Sequence, residues 1–550
     1  MKTIQSEFDY IVVGSGFGGS VSAMRLSQKG YKVGVIESGK RWKADDFAEK
    51  NWNLRKFLWM PGIGLYGIQR MNMLRDIFIL SGAGVGGGSL NYANTLYIPG
   101  DTFFEKESMQ RLGGKEEFMP YYALAKKMLG ATDNIRLTPQ DDLLEETVAE
   151  YGREDTFNTT PVGVYFGQEG KKADDPYFSG EGPARIGCEF CGGCMTGCRK
   201  DAKNTLDKNY LYFAEKFGAE IIPENKVIDI MPLSEDGSDG YVIKTKKAIG
   251  FFGKLKGKTF RTKGIIISAG TLGTLSLLIG LKQKNRLPNL SDNLGKKVRT
   301  NSEALIGVKS RDRNADYSKG VAITSSVHVD DNTHIEPVRY AKGNDFMSLL
   351  TVLLTDGGGK IPRQIKFIFN IFRHPLDFLK LLNPFGWAKR SIILLVMQTH
   401  DNYINILRTR RPVWPFIKSL TSRQASKKKN PVYIPIANDF ARKLGKKMNG
   451  IPTSVISEVV IDAPLTAHIM GGCGIGDIGV IDERNRVIGY ENMIIVDGSQ
   501  IPENLGVNPS LSITAFSERA MSFIPPKKGE KINYLKAEKG WGTTGLLARN

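Results

Sequence analysis

FDYIVVGSGFGGSVSAMRLSQKGYKVGVIESG, residues 8–39, is the stretch on which the fold class turns. Residues 8–13 are an apolar run with β-branched members, the pattern of a strand buried on both faces in a parallel sheet. A helical pattern follows over 18–29, and KVGVIE, residues 32–37, is a second strand ending in Glu37. Between the first strand and the helix lie Gly14, Gly16 and Gly19 in the spacing G-x-G-x-x-G. In that spacing the first glycine permits the tight turn, the second lets backbone approach a pyrophosphate, and the third lets the helix pack on the sheet. Phe17 and Gly18 complete the opening of a helix whose unpaired N–H groups suit phosphates, and Glu37 suits a ribose hydroxyl. A lone glycine pattern is a weak signal, and a ligand-free glycine turn is its bland reading. The preceding strand, the following helix and the acid at the end of the next strand make this one specific.

The motif alone does not separate FAD from NAD, but two later segments favour FAD. LSGAGVGGGSLNYANTLYIP, residues 80–99, holds Gly86, Gly87, Ser89 and Asn91 in a glycine-rich turn that brings backbone flush against a flat or charged ligand. MIIVDGSQIP, residues 493–502, is a late apolar strand ending in Asp497 and Gly498, placed for a second contact along an extended dinucleotide. Elsewhere, 261–278 reads as strand, turn and helix, 220–248 as strands around a turn at 236–240, and 120–130 and 141–151 as helices. Residues 422–431 read as a basic loop, and the polar tail from Pro525 as irregular.

At 550 residues the chain suits two large domains or a discontinuous pair. Its 41% hydrophobic and 24% charged residues place it among ordinary globular proteins. The formal charge of +19 implies attraction to anionic partners. No nucleic-acid module accompanies that charge, so no nucleic-acid partner is expected and an anionic membrane surface is favoured. No signal segment precedes the first strand, and apolar runs such as IILLVM at 392–397 are too short to span a bilayer. The expectation is a cytoplasmic protein, peripheral at the inner face of the membrane.

GSGFGGS, GVGGGSL, SAGTLGTLSLL, HIMGGCGIG, VDGSQIP and GVNPSLSITAFSER occur in this order between residues 8 and 520. With these motifs the chain resembles the glucose–methanol–choline (GMC) family of FAD-dependent oxidoreductases, and within it the bacterial cholesterol oxidases. The resemblance implies a Rossmann-like α/β FAD-binding domain (α+β overall) with a discontinuous substrate domain built on a largely antiparallel sheet. The expected division is 1–100, 190–300 and 464–525 for FAD, 101–189 and 301–463 for substrate, and 526–550 as a tail. It implies that His468 accepts the proton, that Asn508 holds the substrate oxygen or flavin edge, and that Val227 and Pro509 join the FAD contacts. A histidine near pKa 6.5 suits proton transfer at neutral pH. Only five histidines exist, and only His468 adjoins a glycine-rich turn on the FAD side. A packed structural histidine is its competing reading. Glu336 stands where a sterol oxidase that also isomerises a double bond would need a carboxylate; an ion-paired glutamate beside Arg339 is the alternative.

GCEFCGGCMTGC places Cys188, Cys191, Cys194 and Cys198 within eleven residues, in a chain with five cysteines. The spacing favours an iron–sulfur cluster over zinc, unliganded thiols or disulfides. Some sugar dehydrogenases of the resembled family hold a trinuclear cluster, whose ligands would correspond to Cys188, Cys194 and Cys198. RKDAKNTLDKNYL, following it, reads as a helix returning to the flavin sheet. A cluster there would pass electrons to a one-electron acceptor protein. Residues 51–80 and 358–397 mix large apolar side chains with Lys and Arg, and Pro362, Pro375 and Pro384 cut the second into short amphipathic pieces. Such pieces lie in lipid headgroups or form a lid over an apolar pocket. The leading expectation is oxidation of a sterol-like alcohol with FAD, with or without double-bond isomerisation. A dehydrogenase for a terpenoid or sugar, and a non-catalytic flavin/iron–sulfur carrier, are the alternatives.

Overall fold

The computed structural model describes residues 6–250, 257–411, 414–476 and 479–549. Its first large sheet has the strand order Glu220–Ile222, Val33–Ile36, Ser6–Val13, Thr259–Ile267, Tyr241–Lys247, Asn225–Pro232, with Met493–Ile495 also paired to Thr259–Ile267. The opening strand is central and parallel to both neighbours, with Val13 level with Ile36 and Ile267. Met493–Ile495 pairs with Thr259–Ile267 in parallel, so the carboxyl ends at Val13, Ile36, Ile267 and Ile495 lie at one edge. Ligands of open α/β sheets bind at that edge.

The second large sheet is antiparallel in every pairing: Thr351–Leu353, Gly450–Val455, Ala304–Ser310, Ser391–Gln398, Thr333–Val338, Ser325–His328, Asn158–Thr159. Ser391–Gln398 is buried along its whole length. Strand alternation explains its unbroken apolar sequence. Ile392, Leu394 and Val396 pack with Phe440, Ala441 and Leu444 of the helix Pro435–Lys447. Ile393, Leu395 and Met397 face the other way, toward Val338, Met347 and Trp387. The second face roofs the cavity described below.

Two expectations fail locally. Residues 199–205 are not helical, and the helix begins only at Tyr210. The buried Lys203 ammonium donates to the carbonyls of Leu90 (3.1 Å), Tyr92 (2.8 Å) and Cys194 (2.9 Å), which requires a non-helical path. The tail is also ordered, with a short helix at Lys536–Gly540 and buried Leu535 and Leu547; Asn550 lies outside the described residues. Glu538 contacts the buried Arg25 of the first helix, while Glu518 pairs with Arg25 through two 2.7 Å bonds. Composition could not show this, because Glu538 becomes informative only opposite Arg25. Breaking a buried pair leaves charge uncompensated. Glu538→Ala is therefore expected to cost about 3 kcal/mol, the low end of the usual range because Glu518 stays. Chemical denaturation of the FAD-free protein measures it.

Candidate active site

One cavity of about 1300 Å³ runs from the edge of the parallel sheet to the antiparallel sheet. This exceeds the ~300–1,000 Å³ typical of a pocket for one drug-sized ligand, and leaves room for a cofactor and a second molecule. Gly14, Gly16, Phe17, Gly18 and Glu37 line its first end, with Gly87, Asn91 and Val227 beside them. Asp497, Gly498, Asn508 and Pro509 line it from the late strand and the helix after it. Gly19, Gly86 and Ser89, expected as FAD contacts, do not line it. A Cβ on Gly19 would fall 2.0 Å from the Gly14 carbonyl oxygen, so Gly19 serves helix packing. Gly86 N–H donates to Ser15 Oγ (3.1 Å) and Ser89 Oγ to the Gly86 carbonyl (2.7 Å), which holds the glycine loop from behind.

The cradle suits a dinucleotide. A Cβ on Gly16 would meet nothing within 4 Å, although Gly16 lines the cavity. The helix Phe17–Gln28 begins at Gly16 with no side-chain cap, and Ser510–Ser522 begins at Pro509 likewise uncapped. Two helix N-termini therefore open their N–H groups toward one space, as anionic and polar ligand edges require. Glu37 accepts from Ser15 N–H (3.1 Å), Ser15 Oγ (2.8 Å) and Gly39 N–H (2.7 Å), which closes the turn around it. Asp497 accepts from Ser499 N–H (2.8 Å) and from Thr274 Oγ1 (2.5 Å), tying the last strand to the helix Thr271–Gln283.

His468 and Asn508 both line the cavity and converge there, with Asn508 Nδ2 3.5 Å from His468 Nε2 and 3.3 Å from Glu336 Oε2. The sequence readings did not include Glu303. Its carboxylate pairs with His468 Nδ1, and its other oxygen accepts from the Ala467 N–H at 2.7 Å. A carboxylate can only accept, so Nδ1 carries the proton and Nε2 is left as the acceptor facing Asn508. Glu303 is 1% exposed at the start of an apolar strand. An acid directly before ALIGV was the available signal, but which histidine it would meet depends on the fold. Glu336 shares its strand face with Val338 and is fully buried. Burial first, and Glu303 second, push its carboxyl up to about 8 against the Asn508 hydrogen bond. Arg339, the alternative partner, instead sits 3.8 Å from Asp141.

The profile of the GMC oxidoreductase family matches residues 420–517. A cholesterol oxidase of Acinetobacter baumannii is 48% identical over 531 residues, covering 95% of each chain. A cholesterol oxidase of Mycobacterium tuberculosis (strain CDC 1551 / Oshkosh) is 46% identical over 543 residues, covering 96% of this chain and 92% of the relative. The chain belongs to the GMC oxidoreductase family. This GMC fold is also seen in the crystal structure of pyridoxine 4-oxidase from Mesorbium loti, at a TM-score of 0.59 and 13% identity, covering 92% of this chain and 97% of that one. FAD is thus the cofactor that the cradle fits.

The cysteines of this GMC oxidoreductase do not fit the metal expected of them. Among the described residues no three His, Cys, Asp or Glu side chains are grouped to hold a metal ion. Cys188 is buried beneath Phe190, whose N–H donates to its sulfur at 3.4 Å, while Cys191 is exposed. Cys188, Cys194 and Cys198 pack with Val162, Val164 and Val321. Burial pushes the Cys194 thiol up to about 11 and Cys188 higher still, with Lys203 acting against it at Cys194. The donor set supports neither an iron–sulfur cluster nor zinc. The segment instead braces the cavity, which Met195 reaches directly.

Proposed function

We propose that this enzyme oxidises the hydroxyl of a sterol-like alcohol, with His468 Nε2 taking the hydroxyl proton and Asn508 orienting the oxygen. The observation that carries this reading is the chamber roofed by Leu305, Val338, Ile393 and Leu395, which opens directly onto His468 and Asn508. A rigid apolar ring system fits that roof; a sugar would leave its hydroxyls without partners. The full-length likeness to two proteins named as cholesterol oxidases supports the same substrate class. Bound FAD supplies the hydride acceptor. Glu303 fixes the His468 tautomer, and Asn508 donates to the substrate oxygen while its own Oδ1 is otherwise unpartnered. Anaerobic flavin bleaching across sterols, terpenols and sugars tests the reading. Sterols should bleach; bleaching by sugars and by no sterol would overturn it.

Glu336 is the carboxylate for moving a double bond next to the new carbonyl. As its proton is lost only as pH rises through about 8, isomerisation should rise over that window and then level, because the base form is the product of deprotonation. Glu336→Gln should abolish formation of the conjugated enone, read by its ultraviolet absorbance, while the unconjugated ketone still forms.

The protein draws its substrate from a lipid surface. No helix among the described residues is long and apolar enough to cross a membrane. The helices Arg363–Arg373 and Pro375–Leu382 instead expose Phe369 (67%), Phe372 (77%), Leu376 (70%) and Leu379 (60%). Burying one such side chain contributes about 1.5–3 kcal/mol, against about 1 kcal/mol for a Lys or Arg near an anionic surface. Apolar insertion therefore dominates, with charge adding selectivity. Sedimentation should be strongest with anionic vesicles and weaken with salt without vanishing. Phe372→Ser with Leu376→Ser should release most of the protein from vesicles, and unchanged sedimentation would favour a lid role.

A further inference from the structure

The strand Thr333–Val338 brings one more titratable side chain to the cavity side of the sheet, and its neighbour sets a second against it. Alternation puts His334 on the face of Glu336. The antiparallel register places His328 of the strand Ser325–His328 opposite His334. His334 Nδ1 lies 3.9 Å from Glu336 Oε1, and the two imidazole rings stack with centroids 4.6 Å apart and planes 15° from parallel. His334 is 2% exposed, whereas His328 is partly open to solvent. At the inner end, Asn508 spans Glu336 and His468 at 3.3 and 3.5 Å. A line of ionisable groups thus runs from the reaction site to the protein surface.

We propose that Glu336, His334 and His328 form a proton relay that carries the substrate's hydroxyl proton from the reaction site to solvent. The inference rests on the alcohol oxidation proposed above. In that reaction the C–H bond yields its electron pair as hydride to FAD, the C=O bond forms, and the O–H proton is left on His468. The apolar body of the substrate fills the chamber on the mouth side, so that route gives the proton no partner. Glu336, protonated at rest, accepts this proton on Oε2 beside Asn508 as its own proton leaves from Oε1 toward His334. A small side-chain rotation or one water closes the 3.9 Å step to His334, and one water at the edge of the stacked rings carries the proton on to His328.

The surroundings keep every carrier neutral at rest. Burial, then His328, holds His334 well below the usual histidine value, and burial holds Glu336 up at about 8. No charge rests in the apolar interior between transfers. Tyr97 packs edge-on to His334 at 5.2 Å with its hydroxyl engaged by Thr160 and Ser326. The strand partners opposite His334 and Glu336 are the uncharged Met397 and Leu395. Glu303 lies beyond Glu336, and Arg153 and Asp330 face His328 at the solvent end.

The test is anaerobic stopped-flow mixing of the FAD-loaded protein with a bleaching sterol in weakly buffered solution. Flavin absorbance and a pH-indicator dye are followed together. In the unmodified protein proton release should keep pace with bleaching. In His334→Gln and His328→Gln it should lag bleaching by about a hundredfold or more, the lower end of the range for a lost proton-transfer group. Free imidazole should close the lag in His328→Gln, whose gap is open to solvent. Should His334→Gln not fold, His328→Gln alone decides. Release that keeps pace with bleaching in the variants, or no release from the unmodified protein, overturns the relay. Absence of bleaching by any alcohol instead overturns the functional reading beneath it.

Discussion

His468→Ala is expected to slow bleaching of the flavin by substrate about two to four orders of magnitude, the usual contribution of a positioned general base. FAD should stay bound, because the cradle is formed by Gly14, Gly16 and the helix starting at Phe17, and His468 is not part of it. The size of the effect follows from preparation of the base. Glu303 accepts from Nδ1, so the second nitrogen of the ring is left as an acceptor for the hydroxyl proton. Glu303→Gln should give a smaller fall, since an amide still reaches Nδ1 but can present its NH2 and favour the wrong tautomer. Single-turnover kinetics with FAD content measured beforehand separates loss of chemistry from loss of cofactor. A His468→Ala protein that bleaches at the normal rate would move the base to Glu336.

Gly16→Val should yield a folded protein without FAD. The two neighbouring glycines show why this position is distinct. A Cβ on Gly18 would fall 1.5 Å from the Val496 carbonyl oxygen, so substitution there displaces backbone and destabilises the fold. At Gly16 a Cβ meets nothing within 4 Å, and the backbone, at φ −72°, accepts any L residue. The added side chain enters only the space through which a pyrophosphate reaches the helix N-terminus. Circular dichroism should therefore match the unmodified protein, while flavin absorbance is lost. A yellow Gly16→Val protein would show that the dinucleotide binds elsewhere.

Several elements were legible in the sequence because their physics is local. The strand–turn–helix of residues 8–39 requires glycines at fixed spacing; Gly14 turns the chain at φ 100° and Gly19 packs against the Gly14 carbonyl. The late strand ending in Asp497 was legible for the same reason, since an apolar run ending in Asp-Gly marks its own carboxyl end. Prolines cut residues 362–384 into short helices as their steric rule dictates, while 391–397 form a buried strand. The cysteine spacing also looked like a local signal, yet ligation needs sulfurs aimed at one point. Spacing along the chain does not set that aim, and here Phe190, Val164 and Val321 take up the segment instead.

Sequence alone thus determined the family, the dinucleotide cradle and the candidate pair His468 and Asn508. Each follows from residues close in the chain, or from motifs kept in order. Tertiary structure alone decided that Glu303 orients His468, that Glu336 lies buried beside Asn508, that His328 stacks on His334, and that Glu538 of the tail closes on Arg25. These partners are separated by long stretches of chain or by a strand register. Electrostatic contact between such groups depends on distances of a few ångströms that only sheet pairing and core packing set.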